Sequence, residues 1–134
     1  MARGHAEALL PLIARVMDIA QLTFSEIDRI AVTTGPGSFT GLRVGISAAR
    51  GIALAANKDI VGLTTLSAYM APLVAKKSSL PIVVAIDARH DHVYFQAVAG
   101  NGATLIRPGI VPINETFRAA RFGVGSGFDH QEGA

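Results

Sequence analysis

The sequence predicts an α/β fold, and three observations support that prediction. Apolar residues recur at helical spacing in residues 5–20, whereas residues 30–34 form a short, β-branched run typical of a buried parallel strand. Residues 40–56 contain no proline and are rich in alanine and leucine, which favours a long second helix. Half of the 134 residues are hydrophobic and 16% are charged, a composition that supports a buried core and excludes disorder.

The elements that follow the long helix continue this alternation of strands and helices. The pattern predicts a strand at residues 60–63 and a third helix at residues 66–75. Residues 76–79, Lys-Lys-Ser-Ser, are the predicted linker. Two strands at residues 81–87 and 92–99 are expected to form a β-hairpin.

The last third of the chain is predicted to be mainly strands and turns. The Gly-Asn-Gly segment at residues 100–102 predicts a tight turn into a strand at residues 103–106. Asn114 is expected to cap a short helix through residue 120, and residues 122–124 are expected to form a final strand.

Composition and charge exclude several classes of protein. The formal net charge is +2 and no basic run is longer than Lys76-Lys77, which argues against tight, direct binding of nucleic acid. The absence of cysteine excludes disulfides and thiolate metal sites. No apolar run reaches the ~18 residues of a membrane span and no leader pattern opens the chain, so we expect a cytoplasmic protein without membrane contact.

The most informative segment is the glycine-rich turn GPGSFTG at residues 35–41, between the first strand and the long helix. Unpaired N–H groups at a helix start can hold an anion or another backbone. A P-loop needs a lysine after its glycines, and none follows here. A dinucleotide fingerprint has narrower glycine spacing and an acidic residue after the next strand, where this chain has Thr64-Thr65. The simplest interpretation is a tight connection in which Ser38 or Thr40 caps the helix.

Arg43 adds a charge to the first turn of this helix. A cation there opposes the helix dipole by ~0.3–1 kcal/mol, which predicts an acidic partner or a bound anion. Glu26 or Asp28 are candidates for that partner within the chain. The candidate anion- or nucleotide-binding residues are Gly35, Pro36, Gly37, Ser38, Thr40, Gly41 and Arg43.

The long helix has features of either a buried helix or an interface helix. Its many small residues allow another backbone to approach closely. Arg43, Ser47 and Arg50 are spaced by four and three residues, so they form a narrow polar stripe on one face. This stripe is either the solvated edge of a buried helix or part of a protein contact, where arginine is enriched.

The remaining polar residues predict neither a metal site nor a hydrolase. Asp87 follows a strand and is expected to cap the next turn through the backbone. His90 and His92 share a face on an extended chain, but two ligands without a third make a poor metal site. Ser38 has no base nearby in the sequence, and no His-x-x-x-His pair is present.

The turn and several flanking segments carry a resemblance to a known family. GPGSFTGLRVG at residues 35–45 resembles the signature of the TsaB (YeaZ) family, once labelled glycoprotease-like. The similarity continues in RGHAE at residues 3–7, LTTLSA at 63–68, AIDAR at 85–89 and Val93-Tyr94. Members of this family are the non-catalytic partners in bacterial synthesis of threonylcarbamoyladenosine (t6A) in tRNA.

The resemblance implies the actin-like ATPase (ribonuclease H-like) fold. It assigns residues 1–76 to a first α/β lobe whose N-terminal hairpin is missing. It assigns residues 77–134 to the start of a second lobe that is incomplete at its C-terminal end. We therefore expect a fragment, or the ordered part, of a larger molecule; a small two-lobe domain complete as it stands is the alternative.

The same resemblance implies an adaptor that is not itself an enzyme. It would stabilise the threonylcarbamoyltransferase (TsaD-like) subunit, join a TsaE-like ATPase subunit, contact tRNA only indirectly, and form a homodimer when alone. It implies no catalytic residue, metal or cofactor. The predicted partner interface on the first two helices comprises Ala6, Leu9, Leu10, Ile13, Val16, Arg43, Ile46, Ser47 and Arg50.

Two other functions remain open at the level of sequence. One is an actin-like-fold nucleotide-binding phosphotransferase or ATP hydrolase with its site at residues 35–41. The hairpin that carries a phosphate-binding loop in such enzymes is missing, so we expect no ATP hydrolysis by this chain. The other is a self-associating scaffold without a link to tRNA.

Overall fold

The computed structural model describes residues 5–76, 79–113 and 123–124. The chain divides into two compact units, Met1–Thr64 and Thr65–Ala134. The contacts within the chain place Thr65 and the residues after it in the second unit. The lobe boundary that we expect after residue 76 stays a prediction about domain organisation.

The first unit contains two α-helices and a two-stranded parallel sheet. The strands pair in register from Arg29↔Asp59 to Thr33↔Leu63. The predicted first helix is confirmed, and both strands begin one residue earlier than predicted. In chain order the elements are α1 (His5–Ala20), a 3₁₀ turn (Phe24–Glu26), β1 (Arg29–Thr33), α2 (Phe39–Ala56) and β2 (Asp59–Leu63).

The core of the first unit is thin. In its described part the buried hydrophobic residues are Ala49 and Ala53, both on α2. The helix α2 packs on β1 and also contacts α1. Two strands cannot cover the apolar faces of two helices, so most of the larger apolar side chains in this unit stay half-buried or exposed.

The second unit places one helix against a four-stranded sheet of order β5-β4-β3-β6. The pairs β3–β4 and β4–β5 are antiparallel, and β3–β6 is parallel. Both the predicted hairpin and the predicted last strand are confirmed. The elements are α3 (Thr65–Ala75), β3 (Ile82–Arg89), β4 (His92–Val98), β5 (Thr104–Pro112) and β6 (Gly123–Val124).

Two apolar clusters lie on the opposite faces of this sheet, as the two-residue period of a strand requires. On one face, Leu66 and Met70 of α3 pack with Ile82, Val84 and Val98. The other cluster is formed by Val83, Ala85, Val93, Phe95 and Ala97, with Val111 and Ile113 packed against it.

Strand β5 runs further than the sequence predicts. It was expected at residues 103–106, but it continues to Pro112 through Pro108 and Gly109. Both residues normally weaken a strand. Proline is tolerated here because β5 lies at the edge of the sheet, where a missing N–H leaves no neighbouring strand unpaired.

Some predicted elements fall outside the described residues. These are the helix at residues 114–120 and the central residues of the linker, 77–78. None of the helices in the described part of the chain is long and apolar enough to cross a membrane. The cytoplasmic location stays a prediction.

Candidate functional site

The glycine-rich turn is anchored to the sheet of the first unit. Thr34, the residue after β1, donates its backbone N–H to the Leu63 carbonyl at 2.8 Å and its hydroxyl to the same oxygen at 3.2 Å. Gly35 follows with a φ of +120°, a backbone conformation that residues with a Cβ rarely adopt. The Gly35–Pro36 peptide bond is cis. The turn therefore begins at a defined position above the ends of both strands.

Of the two caps considered from sequence, Ser38 is the one that caps α2. Its Oγ accepts a hydrogen bond from the Gly41 N–H at 3.0 Å, and its carbonyl accepts one from Leu42 at 2.9 Å. A Cβ on Gly41 would lie 2.8 Å from the Ser38 Oγ, closer than real Cβ atoms approach other atoms. Gly41 is thus explained by the cap, and the Ser38 hydroxyl serves the helix start.

Two backbone donors at the start of α2 remain available. The N–H groups of Phe39 and Thr40 have no intrahelical acceptor, as at the first turn of any helix, and both residues are exposed. This geometry is compatible with an anion at the turn. The anion- or nucleotide-binding role of residues 35–43 stays a prediction.

Arg43 lies beside an aromatic ring. Its guanidinium carbon is 5.2 Å from the centroid of the Phe39 ring, a cation–π contact worth ~0.5–1 kcal/mol at an exposed site. Glu26, one of the proposed acidic partners, accepts hydrogen bonds from the Thr23 N–H at 2.8 Å and from its hydroxyl at 2.7 Å. These bonds lower the pKa of Glu26, the backbone bond most. The acidic partner or anion expected near Arg43 stays a prediction.

The helix α1 presents a wide apolar arc, of which one half is covered. Leu9, Ile13 and Met17 are half-buried and line an apolar groove of about 450 Å³ together with residues of β1 and α2. The other half of the arc is exposed. Its members are Leu12, Val16 and Ile19, with Ile19 73% exposed.

The predicted interface on α1 therefore divides into two groups. Leu10 and Val16 are exposed, whereas Leu9 and Ile13 face the groove. The side chain of Ala6 lies outside the described part of the chain. Sequence reasoning missed Leu12 and Ile19, although the i, i+4, i+7 spacing of Leu12, Val16 and Ile19 is a signal that could have identified them.

The helix α2 presents a mixed apolar and basic stripe. Arg43, Ser47 and Arg50 are exposed, as the polar stripe predicted, and Ile46 is half-buried. Two large apolar residues extend the stripe at its ends, Phe39 at 74% exposure and Leu54 at 85%. Sequence reasoning missed these two, because apolar residues in an α/β chain are expected to face the core.

The hairpin turn of the second unit is held by local hydrogen bonds. The Asp87 Oδ1 accepts from the Arg89 N–H at 2.7 Å, which confirms the expected capping role. His92 Nδ1 lies 2.6 Å from the His90 carbonyl and must be the donor, since a carbonyl only accepts. Arg89, His90 and Asp91 all have positive φ. Among the described residues, no group of three histidine or acidic side chains is arranged to hold a metal ion.

Comparison with known proteins identifies relatives over most of the chain. The family model for tRNA N6-adenosine threonylcarbamoyltransferase, TsaD, matches residues 1–117. The tRNA threonylcarbamoyladenosine biosynthesis protein TsaB of Escherichia coli (strain K12) is 34% identical over 93 residues, and that of Haemophilus influenzae is 35% identical over 96 residues. A tRNA N6-adenosine threonylcarbamoyltransferase of Symbiobacterium thermophilum is 31% identical over 130 residues.

These relatives are longer than this chain. The two TsaB matches cover 69% and 72% of this chain but only 40% and 41% of the relatives. The transferase match covers 95% of this chain and 38% of that relative.

Solved structures agree with the sequence relatives. YeaZ from Pseudomonas aeruginosa has a TM-score of 0.75 at 27% identity, covering 96% of this chain and 65% of that one. An uncharacterised protein with similarity to peptidase YeaZ, also from Pseudomonas aeruginosa, has a TM-score of 0.75 at 28% identity, covering 93% and 62%. The predicted α/β, actin-like fold is thereby confirmed. Its sequence relatives and its fold show that the chain belongs to the TsaB (YeaZ) family.

Proposed function

We propose that this chain takes part in t6A biosynthesis as a non-catalytic adaptor that binds and stabilises the threonylcarbamoyltransferase subunit. Its TsaB relatives are named for that pathway. The observation that carries the proposal is the exposed apolar surface of α1 and α2, which contact each other. Large exposed apolar side chains that share a helix face are typical of protein interaction sites.

The chemistry of this surface fits a protein partner. We use the name α1–α2 face for two exposed patches taken together: Leu12, Val16 and Ile19 on α1, and Phe39, Arg43, Ser47, Arg50 and Leu54 on α2. Its apolar side chains supply the area that leaves water on binding, and its two arginines suit the acidic rim of a partner. The cation–π contact restrains Arg43 before binding, which reduces the entropy that it loses there.

The proposed role extends to the assembly around the transferase. In it, the TsaE-like ATPase subunit joins the same complex, tRNA is contacted only through the other subunits, and the α1–α2 face pairs two copies of this chain when the transferase is absent. A non-catalytic role agrees with the use of the Ser38 hydroxyl as a helix cap.

A direct binding measurement tests the interface. The transferase subunit from the organism that encodes this chain would be titrated calorimetrically with wild type, Val16→Asp and Ile19→Asp. Burying an unpaired carboxylate at a contact costs on the order of 2 kcal/mol or more, so we expect Kd to rise at least about 30-fold.

The matched control is Ala14→Asp on the same helix. Ala14 is exposed and lies about 160° around α1 from Val16, away from the α1–α2 face. We expect its Kd to stay within about twofold of wild type. Equal binding by wild type, Val16→Asp and Ile19→Asp would show that the transferase docks elsewhere.

The alternative function is nucleotide binding with phosphoryl transfer or ATP hydrolysis at residues 35–41. The observation that favours it is the pair of available N–H donors at Phe39 and Thr40, one turn from Arg43. Calorimetry with ATP and magnesium separates the two proposals. Tight binding with turnover, both weakened by Arg43→Gln, supports the enzyme; no heat and no turnover support the adaptor.

A further inference from the structure

A second groove lies in the second unit, and none of its lining residues belongs to the glycine turn or to the α1–α2 face. It has a volume of about 480 Å³ and runs between α3 and the strands β4 and β5. Ser67, Ala71 and Ala75 line it at successive turns of α3. These small side chains, spaced i, i+4, i+8, keep the groove open because none of them reaches the sheet.

One residue that lines the groove has a buried polar atom that the fold does not satisfy. Gln96 of β4 lines it and is 7% exposed. Its Oε1 is fully buried and has no hydrogen-bond partner. An unsatisfied buried amide oxygen costs free energy, so native structures usually pair such atoms.

Packing does not explain a glutamine at this position. Gln96 pairs in register with Val84, so both side chains lie on the sheet face that α3 covers. Val98, the next residue of β4 on that face, is part of the same apolar cluster. An aliphatic residue at position 96 would continue the cluster without a cost. The glutamine therefore points to an interaction with something outside the fold.

We propose that this groove binds a small, uncharged molecule with an apolar body that donates an N–H or O–H hydrogen bond to the Gln96 Oε1. A carbonyl oxygen only accepts, so the ligand must supply the donor. Met70, Val74 and Val98 provide apolar contacts, and methionine adapts to ligand shape. No charged side chain is present among the described residues that line the groove, which selects against ionic ligands.

The proposal is independent of the adaptor function. The size of the groove falls within the range of small-molecule sites, ~300–1,000 Å³, which combine apolar walls with a few polar groups. Failure of transferase binding would leave this site untouched, and loss of this site would leave the α1–α2 face untouched.

The test compares two probes of matched shape, of which one carries a donor. Benzyl alcohol has an O–H group, and ethylbenzene has a methyl group of similar size in its place. Each would be titrated into the full chain, with the methyl NMR signals of Met70 and Val74 as reporters. We expect saturable shifts with both probes and about tenfold tighter binding of the alcohol, the value of one well-made hydrogen bond to a buried acceptor.

The Gln96→Met variant removes the acceptor and keeps the length of the side chain. We expect it to fold and to bind the two probes with equal affinity. Ala71→Leu fills the groove and should abolish the shifts with both probes. Tyr69→Leu changes an exposed residue of α3 that does not line the groove, and should behave as wild type.

Three results would overturn the proposal. One is the absence of saturable shifts with either probe in wild type. Another is an alcohol preference that persists in Gln96→Met. The third is a crystal structure, grown with benzyl alcohol, in which an ordered water alone satisfies the Gln96 Oε1.

Discussion

The cap of α2 gives a prediction that can be worked from one distance. In Gly41→Ala, the new Cβ would lie 2.8 Å from the Ser38 Oγ. The serine must rotate away, and its 3.0 Å hydrogen bond with the residue 41 N–H is lost. Losing a serine cap costs about 1 kcal/mol, whereas glycine to alanine within a helix gains about 0.8–1 kcal/mol. The two terms nearly cancel, so we expect the free energy of unfolding to change by less than about 0.5 kcal/mol.

A double-mutant cycle separates these two terms. Ser38→Ala alone should destabilise the protein by about 1 kcal/mol. In that background Gly41→Ala has no cap left to break, and it should stabilise by about 0.8–1 kcal/mol. The coupling between the two sites is then about 1 kcal/mol. Gly51→Ala is the control, since its Cβ would meet no atom within 4 Å and should be stabilising in either background.

The assay is urea unfolding of the six proteins followed by far-ultraviolet circular dichroism, analysed at a common denaturant dependence. The reasoning is refuted if Gly41→Ala stabilises wild type as much as Gly51→Ala does. It is equally refuted if the Ser38 and Gly41 substitutions are additive within about 0.3 kcal/mol.

Three further predictions concern other parts of the chain. Gly62→Ala would place a Cβ 2.8 Å from the Thr34 Cγ2, so we expect a loss of about 1–3 kcal/mol in urea unfolding, largely restored by Thr34→Ser, which removes the methyl group and keeps the hydroxyl. Because Thr23 lowers the pKa of Glu26, the ionised carboxylate stabilises the fold above its unfolded pKa, and this contribution is lost as the pH falls through the folded pKa. In a ¹³C NMR titration, Thr23→Ala should therefore raise the Glu26 pKa only part of the way toward its ordinary value, because it removes the hydroxyl bond and keeps the larger backbone bond; an unchanged pKa would show that the hydroxyl bond contributes nothing. Asp91→Gly should raise the thermal midpoint by relieving a left-handed residue that costs about 1–2 kcal/mol; an unchanged or lower midpoint would show that the turn is not strained.

The sequence was sufficient for features that depend on near neighbours. The first helix was predicted at residues 5–20 and is found at His5–Ala20. The cap at Ser38 was one of two candidates, because a serine just before a helical run is a preferred N-cap residue. Asp87 likewise bonds to the backbone two residues ahead. Each of these interactions closes within four residues, so the local pattern contains the information.

Other features depend on which distant segments meet. Strand β5 extends past Pro108 because β4 pairs with it along its length, and no local pattern indicates that pairing. Leu54 and Ile19 match a core pattern in sequence, yet they are exposed because a two-stranded sheet covers only part of each helix. The sequence also contains no sign that Gln96 would lie buried beneath α3.

By itself, then, the sequence determined the order of elements, the helix starts and the family. The tertiary structure decided which apolar side chains face water and that two polar atoms of the described residues, the Thr65 Oγ1 and the Gln96 Oε1, are buried without a partner. The physical reason is that a cap or a turn is stabilised by bonds within one segment. Burial, in contrast, depends on how much apolar surface is removed from water when several segments that are far apart in the chain pack together.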